Sequence, residues 1–407
     1  MDTERAAELR RFYHDRLMQD IMPFWMASDL IDRRCGGFLT SVDREGRLYD
    51  EDKSVWFQGR CLWTFSRLCN TYGPREEWLE AAKSGAAFLR SHCIDPADGR
   101  MFFTVTRDGR PLRKRRYFFS ESFLTAGFTE YYGVTGDPAD LRLAADYFDR
   151  MLRMYRDPSA DPFKITPKEN TAVRRLHGNA EPMVLVSTAQ ALRRVDTART
   201  AYYDGAIRSL IDDMLTLHDK PELGCMLENV LPDGSIFDGP AGRTINPGHS
   251  IENSWFLMNY ANTVGDQELL RRALGILRGS LERGWDMAYG GIVYFTDVYG
   301  RPCVQLEHDM KLWWVHNEAL IATLLAWVLT GDETWGKWYD RLHEYTFGHF
   351  PDAVCGEWYG YLHRDGTVSH TQKGSLWKGP YHLPRCLMLC EQILTAAENS
   401  AAIPPLL

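Results

Sequence analysis

Apolar residues recur along the chain in two alternating rhythms. Long stretches carry them at helical spacing, and between these lie short aromatic stretches in which apolar and polar residues alternate around a glycine. Five of the short stretches stand out: GGFLTSVDREGRLYD (36–50), MFFTVTRDGRPL (101–112), CMLENVLPDGSIFDG (225–239), GGIVYFTDVYGRP (290–302) and GEWYGYLHRDGTVSH (356–370). Each predicts a β-hairpin closed by a turn glycine. Those glycines, Gly46, Gly109, Gly234, Gly300 and Gly366, are 63, 125, 66 and 66 residues apart. The doubled interval places one missing or replaced hairpin near residues 157–176.

Two helical stretches follow each hairpin. The first pair is 55–73 and 76–93, the second 121–133 and 139–155, and further pairs begin near Pro182 and Tyr202, His249 and Gln267, and Leu312 and Glu333. A last helix over about 382–397 takes the N-terminal helix, about 4–30, as its partner. Such a period signals a repeat architecture, and the absence of strand–helix–strand alternation argues against a parallel α/β barrel. The expectation is an all-α fold: one domain over 1–407, an (α/α)6 barrel of about twelve helices with short β-hairpins at one mouth. An open helical solenoid is the alternative.

In a closed barrel, equivalent positions of each repeat converge on the axis. Counting 12 to 16 residues on from the turn glycines reaches Arg60, Glu121, His249, His316 and His382. Titratable side chains recurring at the start of core helices are costly unless paired or used. His249 with Glu252 and His382 with Arg385 are spaced i,i+3, and Trp314 with Glu318 i,i+4, so each pair shares a helix face. His316 lies two residues from both Trp314 and Glu318 and points away from them, which makes it structural. There is no HExxH or similar short ligand spacing, so no metal is expected. No GxSxG suggests a triad hydrolase, while Glu121, Glu252 and Glu318 keep an inverting glycosidase open as a rival.

Composition narrows the class. The 407 residues carry 47 Lys+Arg against 55 Asp+Glu, a net charge of −8 that argues against nucleic-acid binding. No apolar run reaches the ~18 residues of a membrane span, and the opening stretch MDTERAAELRRFYHDRLM lacks the apolar core of a secretory signal. Nine scattered cysteines without a CxxC pair read as free thiols, so a cytoplasmic protein is expected. Thirteen Trp and nineteen Tyr suit a sugar-binding mouth as well as core packing.

The stretches WFQGRCLWTFSRL (56–68), TRDGRPLRKRRYFFSESF (106–123), NPGHSIENSWFLM (246–258), QLEHDMKLWWVHNEALIA (305–322) and KGPYHLPRCLMLCE (378–391) resemble the N-acylglucosamine 2-epimerase family, also called renin-binding protein. The likeness runs from about residue 20 to 395. It implies an (α/α)6 barrel with two essential histidines, His249 and His382, and with Arg60, Glu318 and Arg385 needed for activity or sugar binding. Branches of the superfamily acting on free sugars carry a third active-site histidine in an M-H-x-x-E-A segment. Here that place reads Ala180-Glu181-Pro182-Met183, nearer the acylglucosamine branch, although Glu181 departs from it.

The implied chemistry interconverts N-acetylglucosamine and N-acetylmannosamine by ring opening, C2 deprotonation and reprotonation. Its alternative is the same chemistry on mannose, glucose, fructose or cellobiose. His249 and His382 would exchange the proton, Arg60 or Arg385 would stabilise the enediolate, Glu252 and Glu318 would orient imidazoles or bind hydroxyls, and Trp314 and Trp377 would stack on the sugar. No cofactor is required. The family likeness further implies a homodimer and ATP as an activator that is not consumed. The segment 161–179, with two Lys and two Arg, is a candidate mouth-covering loop or anion site, or a solvated loop. A non-catalytic partner-binding protein is the rival from another class.

Overall fold

A computed structural model describes residues 1–114, 118–160, 170 and 173–407. Six helices form an inner ring: Val55–Tyr72, Phe119–Thr135, Ala180–Val195, Pro247–Val264, Trp313–Thr330 and His382–Glu398. Each is followed or partnered by an outer helix: Glu76–His92, Pro138–Arg156, Thr200–Asp213, Gln267–Gly284, Glu333–His349 and the N-terminal Thr3–Asp15. Burial separates the two rings. Every residue from Trp313 to Trp327 is buried, whereas Gln267–Gly284 buries one stripe of Leu269, Ala273, Ile276, Leu277 and Leu281 and turns its other face to water.

The ring closes. Inner helices pack on their neighbours in sequence order from Val55–Tyr72 round to His382–Glu398. Across the seam, Thr64 donates to the Pro380 carbonyl at 2.5 Å and Arg67 to Gln392 at 3.1 Å. Gly59 and Gly127 let the first two inner helices approach closely, since a Cβ on Gly59 would sit 2.6 Å from the Phe123 backbone. The solenoid alternative is thereby excluded. No helix among the described residues is long and apolar enough to cross a membrane.

All five turn glycines have positive φ, from 71° to 89°. Three of the five segments are hairpins: Ser41–Val42 with Leu48–Asp50, Phe102–Val105 with Pro111–Lys114, and Tyr361–Leu362 with Val368–His370. The other two correct the expectation. Around Gly234, Cys225–Met226 pairs with Asp219–Lys220, and Asn229–Val230 pairs with His177–Gly178. Around Gly300, Thr296–Asp297 pairs with Thr244–Ile245. In both the glycine turn forms, but the strands find partners in other segments of the rim. The N-terminal helix also differs: it passes through a π turn at Arg16–Ile21 before Met22–Ala27. Pro23, which has no N–H to give, sits at the restart. The replacement for the sixth hairpin falls mostly on 161–169 and 171–172, outside the described residues.

Candidate active site

The first turns of all six inner helices enclose a cavity of about 630 Å³. Trp56 and Arg60, Ser122 and Phe123, Ala180 and Met183, His249 and Glu252, Trp313 and Trp314, and His382 and Arg385 line it from successive helices. Six helix N-termini, each the positive end of a backbone dipole, therefore face one space, which favours negative charge developing there.

Both histidines expected to act sit against one indole. The ring centroid of Trp314 lies 5.3 Å from that of His249 and 5.9 Å from that of His382. Gly248 makes this packing possible, because a Cβ there would lie 2.6 Å from the indole. Asn246 caps the helix and accepts from the His249 backbone N–H, so His249 is fixed in the first turn.

Each imidazole gives its Nδ1–H to a carboxylate. His382 donates to Glu318 at 2.8 Å, and His249 to both oxygens of Glu228 at 3.0 and 3.1 Å. That leaves Nε2 of each ring for a substrate. The two carboxylates differ. Glu318 is completely buried beneath the cavity wall rather than lining it, and also accepts from Arg385 at 2.6 Å and the Trp255 indole at 2.8 Å. Arg385 in turn donates to Glu252 at 2.7 Å.

Protonation follows these surroundings. Burial, reinforced by the positive charges of Arg385 and Arg60, holds His382 well below the ordinary histidine range. Burial also pushes His249 down, but the charge and hydrogen bond of Glu228, together with the charges of Glu252 and Glu318, leave His249 raised. His382 is thus biased towards the neutral imidazole, a base, and His249 towards the imidazolium, an acid. Glu252, Glu318 and His382 bring metal-type ligand atoms within 4.8 Å of one another, but the Arg385 guanidinium lies among them and supplies the positive charge.

Arg60 is differently placed. Its Nη1 donates to the Trp377 carbonyl at 3.0 Å and its guanidinium lies 4.2 Å from the Phe123 ring centroid, yet no carboxylate among the described residues pairs with it. Burial pushes its pKa down to about 10. Trp377, 41% exposed, packs on Trp56 at the mouth.

Two of the five repeat-matched residues lie elsewhere. His316 is fully buried behind the wall, accepting from the Ile292 N–H at 3.0 Å and donating to the Leu312 carbonyl at 2.8 Å. Burial lowers its pKa to about 3. Glu121 is buried against Arg100 and the Met101 N–H, away from the cavity. Glu228 was not anticipated: it comes from an irregular segment, 21 residues before its histidine, where no periodicity pairs the two.

Comparison with known proteins follows the same lines. A family model described as N-acylglucosamine 2-epimerase (GlcNAc 2-epimerase) matches residues 36–386. The N-acylglucosamine 2-epimerase of Rattus norvegicus is 36% identical over 410 residues, covering 99% of this chain and 97% of that protein. The cellobiose 2-epimerase of Dictyoglomus turgidum is 26% identical over 388 residues, covering 93% and 97%. Among solved structures, the cellobiose 2-epimerase of Spirochaeta thermophila superposes with a TM-score of 0.82 over 97% of this chain and 98% of its own, at 22% identity, a likeness of fold.

Proposed function

The chain belongs to the N-acylglucosamine 2-epimerase family, and on that premise we propose that it interconverts N-acetylglucosamine and N-acetylmannosamine, with His249 and His382 exchanging the C2 proton. The observation that carries the reading is the pair of imidazoles on one indole, each tied through Nδ1 to a carboxylate.

The C2–H of a sugar is acidic only while C1 is a carbonyl, so the open-chain aldehyde is the reacting form. One imidazole takes the C2 proton on Nε2, and the C–H electron pair passes into the C1–C2 enediolate. The other imidazole returns its own Nε2 proton to the opposite face of C2. No atom is gained or lost by the sugar, no electron acceptor is needed, and the pair regains its resting state by proton exchange with water. Arg60, a cation that no carboxylate among the described residues pairs, and the converging helix N-termini stabilise the enediolate oxygen. Arg385 and Glu252 hold the sugar hydroxyls, while Trp314 and Trp377 offer faces for the sugar. The apolar wall of Ala180, Met183 and Val184 supports an N-acyl substrate over a free sugar.

Incubation in deuterium oxide with N-acetylmannosamine, N-acetylglucosamine, mannose or cellobiose, followed by NMR, tests this. Deuterium is expected at C2 of the two N-acetyl sugars and to accumulate fastest there. Faster labelling of mannose or cellobiose moves the substrate to the free-sugar class, and no C2 labelling of any sugar removes the reaction. The nine free cysteines support residence in a reducing compartment, the cytoplasm. A homodimer and stimulation by unconsumed ATP belong to the same reading, checked by sedimentation and by turnover with and without nucleotide.

A further inference from the structure

Glu228 belongs to no helix, yet its backbone is held on both sides. Its N–H donates to the Thr244 carbonyl at 3.2 Å, and its carbonyl accepts from the Asn179 N–H at 2.9 Å. Strand pairs flank it at Cys225–Met226 and Asn229–Val230. The preceding carbonyl, that of Leu227, accepts from His218 Nδ1 at 2.9 Å. This frame presents the carboxylate edge-on to His249, with both oxygens within 3.1 Å of Nδ1.

The two imidazole–carboxylate contacts are unequal. The charge of Glu318 is shared with Arg385, which also binds Glu252, so little of it is left for His382. Glu228 has no cationic partner among the described residues except His249. The other charged groups acting on His249 are Glu252 on its own helix and Glu318 from Trp313–Thr330; the positive charges of Arg385 and Arg60 act on His382, which also feels His249.

We propose that Glu228 is the positioning residue that makes His249 the cationic acid of the pair, by fixing its Nδ1–H and balancing its charge while Nε2 faces the cavity. The proposal rests on the two-histidine reading above. It rests on an asymmetry in the contacts: an unshared carboxylate lies behind one ring and a carboxylate shared with Arg385 behind the other. Removing the charge of Glu228 lowers the affinity of His249 for its proton, so the loss of activity on the alkaline side sets in at lower pH.

Glu228→Gln keeps the size and a hydrogen-bond acceptor but not the charge. The expected result is a fall in kcat of about 10²-fold, KM within about threefold, and an alkaline limb of the kcat/KM profile moved down by about one pH unit. Glu228→Asp should recover part of kcat and most of the limb. Wild-type kcat and an unmoved limb in Glu228→Gln overturn the proposal. So does a fall in kcat with the limb unmoved and no recovery in Glu228→Asp, since that pattern marks a loop staple. His249→Ala, assayed alongside, separates the two levels: near-normal turnover in it defeats the two-histidine reading itself, whereas an inactive His249→Ala beside a normal Glu228→Gln defeats only the role given to Glu228.

Discussion

The charged groups of the hairpin rim and those of the cavity are built on opposite plans. Around the hairpin rim, one motif recurs three times: an aspartate in the loop before a hairpin or strand, a buried lysine, and an arginine two residues before a turn glycine. The sets are Asp32 with Lys53 and Arg107, Asp286 with Lys311 and Arg364, and Asp352 with Lys373 and Arg44. In every set the arginine grips the aspartate through Nε and Nη2, and the lysine side chain is wholly buried. Despite the upward push of burial, these partners hold all three aspartates below the usual carboxylate range. The cavity is left incomplete. Among the described residues no carboxylate pairs with Arg60, the Nε atoms of Arg60 and Arg385 have no partner, and the imidazoles of His249 and His382 keep Nε2 free of carboxylate. Saturated charge holds a shape, whereas unsaturated charge waits for a substrate.

The contrast is broken most directly at His382. His382→Ala is expected to lower kcat by at least about 10³-fold, with an unfolding transition in urea close to wild type, because Glu318 keeps Arg385 and Trp255 as partners. Near-normal turnover would erase the distinction between the two regions. Asp286→Ala should do the reverse. It strands Lys311, whose side chain is wholly buried, at a cost of about 3–5 kcal/mol in urea unfolding, while kcat of the folded fraction stays within about twofold. The sign with pH follows from the depressed carboxyl: its stabilisation is complete above the ordinary aspartate pKa and is lost as pH falls below it, so the gap between variant and wild type should narrow in acid. A variant of unchanged stability but lowered kcat would place the rim in the chemistry.

Arg60 sharpens the comparison, because it is a half-buried charge that no carboxylate among the described residues pairs. Arg60→Met is expected to lower kcat/KM by about 10²–10³-fold while leaving stability unchanged or slightly higher, since a half-buried charge without an ion-pair partner is replaced by an apolar side chain. A stability loss like that of Asp286→Ala, with activity retained, would move Arg60 to the structural group.

The division between legible and illegible follows the range of each signal. Helix pairs and turn glycines are written in local spacing, and the positions of His249 and His382 followed from counting along the repeat. Glu252 and Arg385 were legible because i,i+3 spacing ties each to its histidine. The rim sets were not, since Asp32 and Arg107 are 75 residues apart and meet only when one hairpin leans on the preceding unit. Glu228 escaped for the same reason, and the strands around Gly234 and Gly300 because rim pairing overrode the hairpin pattern.

Counting along the repeat also placed His316 beside His249 and His382, and its chemistry tests whether position in the repeat or partnering decides function. It is completely buried, satisfied at both nitrogens and stacked on Tyr345. With a pKa of about 3 in the fold against an ordinary ~6.5 unfolded, it binds fewer protons when folded, so its neutral form favours folding above pH ~6.5 and this contribution drains away as pH falls toward 3. One such group changes stability by about 1.4 kcal/mol per pH unit, or about 2 kcal/mol between pH 6.5 and 5. His316→Gln cannot titrate, and its Oε1 can still accept from Ile292. Relative to wild type it should therefore lose about that much of the pH dependence of unfolding, with the background from His218 and His343, both near 4, common to both proteins. Its kcat at pH 7 should stay within about twofold, because no atom of His316 reaches the cavity wall. A large fall in kcat with the pH slope unchanged would mean that repeat position, rather than partnering, assigns the chemistry, and the contrast between rim and cavity would lose its physical basis.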